Sequence, residues 1–97
     1  MATIVIQIGN SDDKLTQYKW AQFVEFVNDN IKALGWVVHF SGGSSADKFW
    51  QNYCWVCESD RCEARTFEQI HLQLSQAVKE FKQDSIALTI GNTEFIK

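Results

Sequence analysis

Residues 3–8, TIVIQI, place Ile4, Ile6 and Ile8 on one side and Thr3, Val5 and Gln7 on the other, the alternation of a half-buried strand. Gly9-Asn10-Ser11-Asp12-Asp13 follows with turn chemistry, because glycine tolerates left-handed backbone and Asn and Asp bond their own main chain. The period then changes. Trp20, Phe23, Val24, Val27, Ile31 and Leu34 recur every three or four residues, which predicts a helix over 17–34 with Thr16 as N-cap and Gly35 as terminator.

WVVHF, residues 36–40, is β-branched and aromatic and predicts a second strand. Residues 41–48, SGGSSADK, have little to bury and form a loop. WQNYCWVCE, residues 50–58, predicts a third strand with Cys54 and Val56 on one face and Gln51, Tyr53, Trp55 and Cys57 on the other. Thr66 and Gln69 fit a capping box, and Phe67, Ile70, Leu74, Ala77, Val78 and Phe81 make the apolar stripe of a second helix ending near Lys82. SIALTI, residues 85–90, is a fourth strand, and Gly91-Asn92 predicts a tight hairpin into a short C-terminal edge strand over 93–96. With no proline, linker or repeat, residues 1–97 form a single domain.

The order β-α-β-β-α-β predicts a ferredoxin-like α+β two-layer sandwich. Right-handed crossovers put strands one and three in the middle of an antiparallel sheet, with both helices on one face. The opposite face is then expected to carry Val5, Gln7, Val37, His39, Tyr53, Trp55, Cys57, Ala87 and Thr89. So apolar a face needs a cover, either stacked bases or a second subunit. Charge decides between them. The chain holds 9 Lys+Arg against 12 Asp+Glu, a net charge of −3, and the third strand lacks a Lys/Arg-Gly-Phe/Tyr string, so nucleic acid is disfavoured. The expectation is a homo-oligomer joined through Tyr53, Trp55, Val37 and His39.

A composition of 45% hydrophobic and 13% aromatic residues excludes a disordered chain. No apolar run approaches the ~18 residues that span a bilayer, and MATIVIQIGN lacks the basic start of a signal peptide, so a soluble, cytoplasmic protein without membrane partners is expected. Cys54, Cys57 and Cys62 are odd in number, which fits reduced thiols. Cys54-x-x-Cys57, with Cys62 and His71, has the ligand types of a zinc site. On a strand, however, positions i and i+3 point to opposite faces, so buried inert thiols are expected and no metal site is assigned. His71 is expected on the flank of the second helix.

The topology brings four polar segments to one end of the sheet: residues 10–13, the 41–48 loop, Gln51-Asn52, and Lys82-Gln83-Asp84-Ser85. Amides, hydroxyls and carboxylates beside a helix N-terminus are the parts of a small polar ligand site. Asn10, Ser11, Asp12, Gln51, Asn52 and Asp84 would hydrogen-bond the ligand, Lys14, Lys48 and Lys82 would meet an anionic group, and the 41–48 loop would be a lid. Asp12, Asp13 and Asp84 disfavour a multiply phosphorylated ligand unless Mg²⁺ bridges them, with two carboxylates and amide oxygens as its ligands. The competing reading makes these residues turn formers only. Gln7, Gln51 and Asn52 favour a site, since a carboxamide within a sheet demands partners: each other, loop backbone or a ligand.

The stretches Ile6-Gln7-Ile8-Gly9-Asn10-Ser11-Asp12-Asp13-Lys14-Leu15-Thr16, Trp50-Gln51-Asn52, Gln83-Asp84-Ser85-Ile86-Ala87 and Thr93-Glu94-Phe95-Ile96 resemble those of small uncharacterised proteins of bacteria and their phages. The resemblance covers about a third of the chain and carries no catalytic signature. It implies a bacterial or phage setting, where small acidic proteins bind host proteins or sequester signalling nucleotides.

Three functions follow as expectations. The first is a non-enzymatic protein that captures a small polar, nucleotide-like ligand, as in phage-encoded sequestration of a host signal. The second is a protein-interaction module, such as an inhibitor of a bacterial or phage enzyme. The third is a small hydrolase using His39 as general base with Asp12 or Asp84 as orienting carboxylate. Convergent polar groups without a recognisable nucleophile, base and orienter favour binding, and no catalytic residue is assigned.

Overall fold

The computed structural model describes residues 2–10, 15–44, 51–59 and 64–97. In chain order the elements are β1 (Ala2–Gly9), α1 (Gln17–Ala33), β2 (Val37–Gly43), β3 (Asn52–Ser59), α2 (Ala64–Glu80) and β4 (Ala87–Asn92). The strands form one antiparallel sheet in the order β2-β3-β1-β4, so β1 and β3 are central, as the element order predicts. The molecule is a ferredoxin-like α+β sandwich.

Local chemistry sets the helix ends. Thr16 has extended backbone, and its hydroxyl accepts from the Lys19 amide, capping α1. Gly35 takes φ +72° after the helix, where a Cβ would be strained. At the end of α2 the same left-handed position is held by Lys82 at φ 52°, with Lys82 N donating to Lys79 O and Gln83 N to Val78 O. Thr66 is not the N-cap expected for this helix, because α2 begins at Ala64 and takes Thr66 into its first turn.

Ile4, Ile6 and Ile8 are buried against Phe23, Val27 and Ile31 of α1, Ile70, Leu74 and Ala77 of α2, and Phe81 just after α2. Phe23 and Phe81 stack with centroids 4.7 Å apart and planes at 18°, which ties the two helices together over the sheet. The register of β3 corrects one expectation. Trp55 lies opposite Ile6, Cys57 opposite Ile4 and Tyr53 opposite Ile8, and residues directly opposite share a face. Tyr53, Trp55 and Cys57 therefore point toward the helices, with Trp55 and Cys57 wholly buried. The interface expected through Tyr53 and Trp55 does not exist on the open face. That face instead presents Thr3, Val5, Gln7, Cys54, Val56 and Glu58, with Val37, His39 and Phe40 from β2.

Two boundaries also differ. Gly91 and Asn92 pair with Thr3 and Ala2, so they continue β4 rather than turn, and residues 93–97 form no fifth strand. β2 extends through Ser41–Gly43, the first part of the expected loop, with a bulge at His39. Cys54 and Cys57 fall on opposite faces of β3, and Cys62 lies outside the described residues. Burial raises the Cys57 thiol to about 11, with the neighbouring Cys54 adding to the shift.

Trp55→Glu is expected to unfold the chain rather than dissociate an oligomer, because it places an unpaired carboxylate in the centre of the core. Loss of the far-ultraviolet circular dichroism of the folded protein checks this. Cys57 is expected to resist iodoacetamide at neutral pH in the native protein and to react on denaturation, since the thiolate is the nucleophile. A folded-state value above the unfolded one stabilises the protein below pH 9.0, and this contribution is lost as pH rises through about 11.

Candidate functional site

Asn10 follows β1 and is 1% exposed, which removes it from direct contact with a ligand and makes it part of the frame. Its backbone N–H donates to Gln51 O at 2.8 Å, extending the β1–β3 ladder by one pair. Its side chain pairs with the Leu15 peptide: Nδ2 donates to Leu15 O at 3.0 Å, and Oδ1 accepts from Leu15 N at 3.0 Å. Nδ2 also donates to Gln51 Oε1 at 3.2 Å. Gln51 in turn exchanges carboxamide bonds with Gln17 in the first turn of α1, 3.0 Å from its Nε2 and 3.3 Å to its Oε1. The demand for partners posed by a buried carboxamide is thus met inside the protein.

Beside this network an open groove of about 800 Å³ runs between α1 and the β2–β3 hairpin. Gln17, Gln51, Asn52 and Ser44 line one end, Trp20, Val24, Val38 and Tyr53 the wall, and Asn28, Glu25 and Lys32 the flank of α1. The Tyr53 ring is half-buried and packs on Trp55 at 4.7 Å. Beneath Tyr53 the buried Trp55 donates its indole N–H to Asn28 Oδ1 at 3.3 Å, which ties β3 to the flank of α1 that lines the groove. At the hairpin, Ser44 N donates to Asn52 O and Asn52 N to Ser44 Oγ, each at 3.0 Å. Gly43 is required there, because a Cβ would lie 2.0 Å from Asn52 O. Glu25 and Lys32 contribute one charge of each sign.

The residues expected at the polar end do not all meet. Gln51 and Asn52 line the groove with Asn10 buried behind them, whereas Asp84 lines a separate hollow of about 270 Å³ with Gln7, Gly9, Gln83 and Ser85. Gln7 is exposed on the open face, so its carboxamide needs no internal partner. Ser11, Asp12, Asp13, Lys14 and Lys48 lie outside the described residues. His39 is oriented by Glu58, with Nε2 2.5 Å from its carboxylate oxygen, and this pair stands on the face of the sheet away from the groove. Glu58, not Asp84, is therefore its carboxylate partner among the described residues.

Gln17, Trp20, Asn28 and Lys32 were not expected at a site. Trp20 belongs to the buried stripe of α1 with Phe23, Val27 and Ile31, and Gln17, Asn28 and Lys32 lie along the flank next to it. Polar residues repeating beside an apolar stripe at helical spacing are the signal that marks them.

The chain matches no protein-family model and no curated protein sequence. Solved structures resemble it in fold. An ACT domain protein from Streptococcus pneumoniae superposes with a TM-score of 0.52 at 16% identity, over 93% of this chain and 85% of that one. A phage SAM lyase in complex with S-methyl-5′-thioadenosine superposes with a TM-score of 0.53 at 15% identity, over 93% of this chain and 79% of its own. Among the described residues no helix is long and apolar enough to cross a membrane.

Asn10→Ala is expected to lower stability by about 2–3 kcal/mol, because it leaves the N–H and C=O of the buried Leu15 peptide without their side-chain partner and removes one of the two bonds to Gln51 Oε1. Urea unfolding followed by tryptophan fluorescence measures this.

Proposed function

We propose that the protein is a non-enzymatic binding protein that captures a small polar, nucleoside-like ligand in the groove between α1 and the β2–β3 hairpin. The observation that carries this reading is the placement of the half-buried Tyr53 ring beside the paired carboxamides of Gln17 and Gln51 in one groove. An aromatic face takes a flat heterocycle, and carboxamides read its donors and acceptors. Each carboxamide nitrogen carries two hydrogens, and the reciprocal Gln17–Gln51 pairing uses one of each.

Charge narrows the ligand. Glu25 and Lys32 cancel within the described lining, so the groove fits an uncharged or zwitterionic molecule better than a polyphosphate. A ligand of that kind needs no Mg²⁺ between the carboxylates expected at the polar end. A protein of the same fold in complex with S-methyl-5′-thioadenosine, an uncharged nucleoside thioether, supports the reading. The role inferred is sequestration of this ligand in a bacterial or phage-infected cytoplasm.

Thermal-shift and calorimetric titration with adenosine, S-methyl-5′-thioadenosine, AMP and ATP, each with and without Mg²⁺, tests this. A nucleoside at ten times its Kd is expected to stabilise the fold by about 1.4 kcal/mol and to raise Tm by about 6–10 °C. ATP is expected to give no such shift, with or without Mg²⁺. Tyr53→Ala, checked for folding, is expected to abolish the nucleoside shift. Absence of any nucleoside response, or its persistence in Tyr53→Ala, contradicts the reading, and turnover of the bound molecule contradicts its non-enzymatic part.

A further inference from the structure

The sheet has two edges, and they are built differently. At β2 the register shifts at His39, and the strand ends in the Gly42-Gly43 pair. Such a bulge twists an edge away from another strand. β4 has none of these protections. Its sequence, ALTIGN, contains no charge and no proline, and it pairs with β1 without interruption from Gln7↔Ala87 to Ala2↔Asn92. Among the described residues no backbone bond beyond its ladder with β1 reaches it.

The side chains along this edge are also unfinished. Ile90 lies opposite the fully buried Ile4 yet remains 46% exposed. A hollow of about 100 Å³ opens between α2 and the start of β4, lined by Leu74, Val78, Ile86 and Leu88 with His71 and Ser75. Beyond the strand, Phe95 and Ile96 are 65% and 91% exposed.

We infer that β4 is a self-association edge, on which β4 of a second copy pairs antiparallel about a two-fold axis to make a continuous eight-stranded sheet. The charge pattern argues for a second copy: a strand that carries no charge sets no like charges opposite one another when it meets itself. The direction of the chain argues for the same arrangement. Antiparallel pairing carries the residues after Asn92 past the segment that precedes β4 in the partner. Phe95 is thereby brought alongside the second copy's hollow, where Val78, Ile86 and Leu88 offer its exposed ring a cover. This interface uses the sheet edge rather than the open face, and it is independent of the groove.

Sedimentation equilibrium of the full chain across the micromolar range tests the inference. The expected result is a species of twice 11.2 kDa. Thr89→Lys places an exposed lysine on the edge and a second one near it across the axis, and is expected to weaken the dimer about tenfold or more. Ile90→Lys is expected to do the same by a different side chain, with circular dichroism confirming that each variant folds. Phe40→Lys, on the opposite edge strand, is expected to leave the dimer intact. A monomer at every concentration overturns the inference, as does a dimer that survives both β4 variants. Dissociation by Phe40→Lys alone also overturns it and moves the contact to β2.

Discussion

The carboxamide of Asn10 is the joint on which the arrangement depends. It satisfies both polar groups of the Leu15 peptide and bonds Gln51, while its own main chain continues the β1–β3 ladder. One buried side chain thus fixes the exit of β1, the approach to α1 and the entry of β3. Only a group with a donor and an acceptor in one plane can answer a peptide in this way. Because Asn10 is buried, its bonds are strong when complete and costly when broken. Gln51 passes the constraint to Gln17, so α1 is set relative to β3 before any apolar contact between them is counted.

The groove is a consequence of that setting. Trp55 fills the space below α1 and spends its indole N–H on Asn28, while Tyr53, two residues earlier on the same face, reaches only half cover. Toward the β2 edge the sheet offers Ser41 and Gly43, which are too small to close the gap. The large aromatic residues of the core and the small residues of the hairpin thereby leave a trough with one polar end. The same division of labour separates His39 and Glu58 from it, since residues adjacent along a strand point to opposite faces.

β1, α1 and the sheet order were legible because their apolar positions follow one period with an unambiguous face. β3 was not. Its residues are apolar on both sides, so alternation separates two faces without saying which meets the helices, and only the register with Ile4 and Ile6 decides. Gly91-Asn92 carried a local turn signal that pairing with Ala2 and Thr3 overrode. Buried Asn10 and Gln51 illustrate a finer limit. Sequence logic found that Gln51 required partners, but Leu15 and Gln17 become those partners only once the chain closes around them. Residues 17, 28 and 32 are harder to read, because a largely exposed helix flank that lines a groove has the same pattern as an ordinary solvated one.

The central claim is that the polar groups at this end of the sheet divide into a buried frame and a groove wall that meets the ligand. Titrating ¹⁵N-labelled protein with S-methyl-5′-thioadenosine, and following side-chain as well as backbone resonances, tests this division directly. The largest shifts are expected at Gln17, the Trp20 indole, Asn28 and Tyr53, while the Asn10 carboxamide keeps its position and its slow exchange. Shifts centred on His39 and Glu58, or on Asp84, or no shifts at all, would contradict the account.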